Sequence, residues 1–459
     1  MDLSYDAKRL IDVARALRLA RAAAECERWP RERLVRHQQE AVDAIVRHAV
    51  ARSPFYRERF AGLVGAEPVT LSALPALDKA TMMERFDDVV CDRRLRRDAL
   101  LEHLDGLDHD ALYLGEHRVM TTSGSSGRKG LFVYDRRGWA TIGSQFFRLH
   151  GIAGIRPRIP RLRIAVIGGG SPTHMSRRGA ATVDVGVHRV CALAVTMPLE
   201  RIVAALNDFQ PDYVNAYPSM AALLADEQRA GRLRIAPSVM STSSEMRTPE
   251  LTERIEQAFG VRPYNLYATT EGLWGASCGH GDGIHLFEDL TVVENVDADG
   301  AAVPPGEPGA RILVTTLFNR VQPLIRFAVD DVMTLDPEPC PCGRTLVRVR
   351  AVSGRADDVL HLPGGNARLV AVHPLQFAVV TADRDVREFQ VVQEGERLRL
   401  RVALRDGASA PDAAGRLRAR VADRLADLGV SQPRVEVETC ESLPRSAGGK
   451  LRMVIADGV

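Results

Sequence analysis

Between Arg163 and Tyr267, short apolar runs alternate with amphipathic stretches of about ten to fifteen residues, and this alternation limits the possible folds more than any other feature. Arg163-Ile-Ala-Val-Ile167 runs into a triple glycine. Tyr213-Val-Asn-Ala-Tyr217 precedes a helical stretch from about Ser219 to Ala230. Ser238-Val-Met-Ser-Thr242 precedes a second, Thr248 to Phe259, which leads into Tyr264-Asn-Leu-Tyr267. A strand reached through a helical crossover returns parallel to its predecessor, so the pattern predicts an α/β fold with a parallel sheet. Residues 1–115 read as helices and 116–283 as the α/β core. In 284–353 segments shorten and prolines accumulate, as in a more antiparallel β region. A boundary is expected between 356 and 357, closing a large N-terminal domain. Beyond it, Glu388 to Leu404 alternates as two strands around Glu394-Gly395-Glu396, followed by a helix from Asp412 to Leu428 and the strand Arg434-Val-Glu-Val-Glu438. Residues 357–459 are thus expected to form a small α+β domain.

Composition excludes several classes. Hydrophobic and charged fractions of 45% and 26% are those of a globular chain. No apolar run reaches the roughly 18–20 residues of a spanning helix, so no membrane partner is expected. The N-terminal stretch lacks the apolar core of a signal peptide, and a cytoplasmic location is the expectation. A net charge of +2, with acidic residues on both sides of Arg93-Arg94-Leu95-Arg96-Arg97, argues against a nucleic-acid partner. Seven scattered cysteines do not make a disulfide framework. Lysine occurs only at Lys8, Lys79, Lys129 and Lys450, and two of these lie in glycine-rich loops. A compact ammonium serves phosphate differently from a planar guanidinium, so those two positions are candidates for chemistry.

Thr121-Thr-Ser-Gly-Ser-Ser-Gly-Arg-Lys-Gly130 is the most informative stretch. Its glycines allow close backbone approach, its hydroxyls and N–H groups donate, and Lys129 adds a point charge, a composition that can wrap phosphate. A Walker A pattern cannot be laid on it, and taken alone such a run serves equally as a linker. The stretch resembles the phosphate-binding loop of the adenylate-forming superfamily, which implies ATP contacts from Thr122, Ser123, Gly124, Ser125, Ser126, Gly127, Lys129 and Gly130. Four further elements follow in that superfamily's order. Asn265-Leu-Tyr-Ala-Thr-Thr-Glu271 implies Asn265 and Tyr267 at adenine, Thr270 at the α-phosphate and Glu271 on Mg²⁺, with Ala268 in place of the usual glycine. Pro323-Leu-Ile-Arg-Phe-Ala-Val-Asp-Asp331 implies Asp331 at the ribose, although Asp330 beside it leaves the register open by one. Gly354-Arg-Ala-Asp-Asp358 implies Arg355 at ribose or phosphate and Asp357 as the hinge. Pro444-Arg-Ser-Ala-Gly-Gly-Lys450 implies that Lys450 bridges the substrate carboxylate and the α-phosphate.

Within the superfamily the chain resembles the phenylacetate–coenzyme A ligase branch. The resemblance rests on Ser243-Ser244-Glu245, expected beside adenine, on Gly283-Ile-His-Leu-Phe-Glu-Asp289 and on Cys340-Pro-Cys-Gly343. Cys278, His285, Cys340 and Cys342 offer three thiolates and an imidazole suited to a closed structural zinc site, with His280 as the alternative fourth ligand. A monomer or homodimer is expected, and the resemblance implies that it activates an aryl or arylacetic acid with ATP and Mg²⁺ and passes it to coenzyme A. An amine or a carrier-protein thiol is the alternative acceptor. Two rivals are weaker. Ile167-Gly-Gly-Gly170 lacks GxGxxG spacing and has Arg189 where a dinucleotide site needs an acid. A noncatalytic zinc ribbon would need a second close cysteine pair.

Overall fold

The computed structural model describes residues 4–107, 109–122, 130–155, 160–355, 359–365, 369–372, 374–445 and 451–456. A nine-stranded sheet forms its centre, in the order Asp331–Leu335, Arg348–Arg355, Gly281–Leu286, Trp274–Gly279, Tyr264–Ala268, Val239–Ser243, Tyr213–Ala216, Leu162–Gly168, His188–Ala194. The last five pair in parallel, as the helix–strand alternation predicts. Pro218 starts the helix Pro218–Arg229 where a missing N–H goes unnoticed. Thr248 caps Pro249–Phe259 by accepting from Leu251 N, and Gly260 ends it at φ +72°, a conformation that favours glycine.

At Tyr267 the pattern changes. Only a tight turn separates Tyr264–Ala268 from Trp274–Gly279, so the two pair antiparallel, and the sheet continues antiparallel to its edge. The expected antiparallel region is therefore divided. Asp331–Leu335 and Arg348–Arg355 extend the central sheet, while Thr291–Val296, Arg311–Thr316 and Phe327–Val329 form a separate three-stranded one. Strand periodicity reads which faces are buried but not which sheet a strand joins.

The N-terminal helices are built into this unit. Tyr5–Cys26 lies along Arg136–Ile152, so closely that a Cβ on Gly143 would stand 3.2 Å from the Ala16 methyl. The contact is not purely apolar. Buried Asp12 meets Arg118 at 3.3 Å and Arg136 at 2.8 Å, while buried Asp110 takes Arg178 at 2.7 Å and Arg118 at 3.4 Å. Removing such charges from water is tolerable only when they are paired.

The C-terminal part has its own apolar core. Val386–Glu394, Arg397–Leu404, Arg434–Thr439 and Val454–Ile455 make a four-stranded sheet covered by the helix Ala410–Asp427. Leu398, Leu400 and Val402 alternate inward against Leu417, Val421 and Leu425 of that helix. This unit touches the large one through Arg405, 2.5 Å from Asp226, and through Thr381, which donates to Glu250 at 3.1 Å.

Candidate active site

A cavity of about 830 Å³ opens where the parallel strands end at their carboxyl edge, the place where open α/β sheets bind ligands. Its walls come from both units: Ser244, Glu245 and Asn265–Glu271 from strand ends, Asp330 and Asp331 from the antiparallel edge, and Arg387–Phe389 with Leu451–Val454 from the small sheet.

The hairpin His117–Thr121 and Leu131–Asp135 carries the serine–glycine loop. Ser123, Gly124, Ser125, Ser126, Gly127 and Lys129 lie outside the described residues, but the base of the loop does not. Thr122 N donates to Gly130 O at 3.1 Å and Gly130 N to Thr122 Oγ1 at 3.0 Å, and Thr122 lines the cavity. A Cβ on Gly130 would come within 2.7 Å of the Phe132 ring, so the closure requires glycine.

The turn after Tyr264–Ala268 is held from below. Tyr134 Oη donates to Thr270 O at 2.7 Å, and Leu273 N donates to Thr269 Oγ1 at 3.3 Å. Glu271 is buried there, and burial pushes its carboxyl above the ordinary range, with the nearby positive charge of Lys79 opposing and Asp331 adding to the rise. Tyr267 Oη donates to Asp331 Oδ2 at 2.5 Å, joining two of the anticipated nucleotide contacts across the sheet. Asp331 is the backbone partner of Arg355, so both fall at one level of adjacent strands. Nothing is described of the Arg355 side chain, and Asp357 and Lys450 lie outside the described residues.

Of Ser243-Ser244-Glu245, Ser243 ends its strand without lining the cavity, whereas Ser244 and Glu245 line it. The Glu245 carboxylate accepts from Ser219 N at 3.1 Å and Leu451 N at 2.8 Å. Two further cavity residues, Lys79 and His174, escaped the motif reading. For Lys79 a signal existed in the scarcity of lysine; for His174 none did.

Cys278, His285, Cys340 and Cys342 converge, their ligand atoms all within 4.8 Å of one another. Cys278 Sγ lies 3.6 Å from Cys340 Sγ, and Cys342 Sγ 3.4 Å from His285 Nε2. His285 Nδ1 stands 3.3 Å from Leu346 O, which leaves Nε2 facing the thiols. His280 is exposed and outside the group. The cysteine turn is fastened to the link that follows the helix Tyr5–Cys26, since Arg344 pairs with Glu27 at 2.7 Å and Thr345 Oγ1 donates to Trp29 O at 2.6 Å.

No protein-family model matches the chain. Over 94% of its length it is 28% identical to a phenylacetate–coenzyme A ligase of Thermus thermophilus, covering 98% of that protein. It is 26% identical to the enzyme of the same name from Escherichia coli K12, over 91% of this chain and 93% of that one. Among solved structures, a 2-hydroxyisobutyryl-CoA ligase in its postadenylation state overlays with a TM-score of 0.73 at 22% identity, covering 94% of this chain and 91% of that one. The same enzyme in its thioesterification state gives a TM-score of 0.59 over the same shares at 23% identity. The chain thus has the fold of the adenylate-forming CoA ligases, and its sequence is similar to the phenylacetate–coenzyme A ligases.

Proposed function

We propose that this protein activates a carboxylic acid, aryl or arylacetic, as its acyl-adenylate and transfers the acyl group to coenzyme A. The convergence of Thr122, the Thr270–Glu271 turn and Asp331 on one cavity, closed on its far side by the small unit, carries this reading. A substrate carboxylate oxygen attacks the α-phosphorus of ATP and pyrophosphate leaves. The coenzyme A thiol then attacks the acyl carbon and AMP leaves. Thr122 and the loop it begins would hold the phosphates, as would Lys79, which also lines the cavity, and Asp331 would take the ribose hydroxyls. Lys450 would bridge the reacting carboxylate and phosphate, with Asp357 the pivot of the small domain, residues 357–459. Mg²⁺, when bound, would neutralise phosphate charge, and the buried carboxylate of Glu271 is a hard oxygen ligand suited to it. Enclosure between the two units keeps water from the mixed anhydride.

Cys278, His285, Cys340 and Cys342 would hold a zinc ion in a structural role, because a full set of protein ligands leaves no open position. Incubating the protein with ATP, Mg²⁺ and a panel of aromatic acids should release pyrophosphate, and adding coenzyme A should yield the thioester. Absence of pyrophosphate with every acid refutes the proposal. Pyrophosphate followed by capture with an amine, but not with coenzyme A, would reassign the acceptor.

A further inference from the structure

The chemistry above leaves the Glu245 carboxylate without a part. Ser244 before it has φ +71°, a left-handed conformation in a residue with a side chain, which persists only where the surroundings enforce it. The Glu245 residue borders the cavity, but its carboxylate is enclosed between two backbone amides from different units. One is Ser219 N, in the first turn of Pro218–Arg229, where unpaired N–H groups and the positive end of the helix dipole favour a carboxylate. The other is Leu451 N, the residue that follows Lys450. On the preceding side, Arg445 Nη1 donates to Ser219 Oγ at 3.2 Å and the same guanidinium bonds Glu388. Of the residues that bracket the segment containing Lys450, Arg445 is therefore fastened directly to the first turn of that helix, and Leu451 is linked to it through the Glu245 carboxylate.

We propose that Glu245 is a positioning residue for the adenylating step, docking the small unit through the Leu451 amide so that Lys450 is presented to the reacting groups, rather than a recogniser of adenine. The inference rests on the function proposed above. A carboxylate suits the task because both its oxygens accept, whereas the glutamine amide would turn a donor toward one of the two N–H groups. Its link to Leu451 exists only while the small unit sits in this arrangement, so it stabilises the first half-reaction and not the second.

The test separates the two halves. Glu245→Gln and Arg445→Ala are assayed for acid-dependent ATP–pyrophosphate exchange, for KM of ATP, and for thioester formation from supplied acyl-adenylate and coenzyme A. The expected result is exchange lowered about tenfold to a hundredfold in both variants, as for a misplaced catalytic group, with KM for ATP and the second half-reaction changed less than about twofold. A raised KM for ATP with the maximal exchange rate kept would assign Glu245 to adenine and overturn the proposal. Exchange within about twofold of wild type, or an equal loss in both half-reactions, would overturn it as well. Should Glu245→Gln fail to fold, Arg445→Ala carries the test from the other side of the contact. A wild-type protein without exchange for any acid would instead refute the function itself.

Discussion

Replacing Gly272 by alanine tests whether the Glu271 turn governs the chemistry. Gly272 has φ +100°, and an added Cβ would stand 3.1 Å from the Phe318 ring, 3.1 Å from Tyr134 Oη and 3.4 Å from the Thr316 methyl. Forcing a side chain into that backbone region costs about 1–2 kcal/mol. Crowding against the Phe318 ring and the Tyr134 hydroxyl adds about 1–3 kcal/mol, since both sit on stiff aromatic side chains. The sum, about 2–5 kcal/mol, can be relieved locally if the turn moves and gives up the Tyr134 hydrogen bond to Thr270, itself worth about 1 kcal/mol. Either route displaces Glu271. The variant should lose about a hundredfold in pyrophosphate release, with a melting temperature lower by about 3–8 °C. Gly62→Ala is the matched control. Its φ is +76° and nothing lies within 4 Å of the added methyl, so it meets the backbone cost without the crowding and away from the cavity. It should melt slightly lower and keep its activity. Full activity in Gly272→Ala, or equal losses in the two variants, would refute the reasoning.

Two other outcomes are expected. Purified protein should contain zinc by elemental analysis. His285→Ala should lose it and melt lower, whereas His280→Ala should keep it; the reverse pattern would remove His285 from the site. Second, burial holds both His150 and His188 neutral, with the neighbouring His188 adding to the effect on His150 and the charge of Arg161 to that on His188, at pKa values of about 3 and about 4. An unfolded histidine titrates near 6.5, so the stability from these two is complete above that pH and is lost as pH falls from about 6.5 toward 4 and then 3. Each contributes about 1.4 kcal/mol per pH unit within its window, and denaturant melts of His150→Phe/His188→Phe between pH 7 and 5 should show a shallower slope than wild type.

Much of the fold was legible because crossover helices and parallel strands carry different periods, and each of the strands anticipated between Arg163 and Tyr267 is present to within two residues. Three strands of the small sheet are legible from the alternation of Glu388–Leu404 and from Arg434–Glu438, but the fourth, Val454–Ile455, is not, because two residues carry no period. Sheet membership was not legible, because whether Asp331–Leu335 joins one sheet or another depends on contacts remote in sequence. The same distinction holds at the candidate site. Motifs single out Tyr267 and Asp331, which meet each other, and Cys278, His285, Cys340 and Cys342, which converge as a separate group. Lys79 was noticed only as a rare residue, and its place beside Glu271 follows from a bridge between Leu77 and Phe327 that no local pattern announces. The Leu451 partner of Glu245 belongs to a contact between units, for which a linear reading has no signal.

Asp12 and its arginines bear on how far the chain can be trimmed. Arg118 and Arg178 are 1% exposed, and Asp12, which balances the first of them, is carried by the helix Tyr5–Cys26. A fragment starting after that helix would take Asp12 from both Arg118 and Arg136 and leave Arg118 to share Asp110 with Arg178, so that two guanidiniums would divide one carboxylate. The first helix thus supplies one counter-ion, beside Asp110, to the hairpin that begins the serine–glycine turn, and amputating it would unsettle a segment a hundred residues downstream.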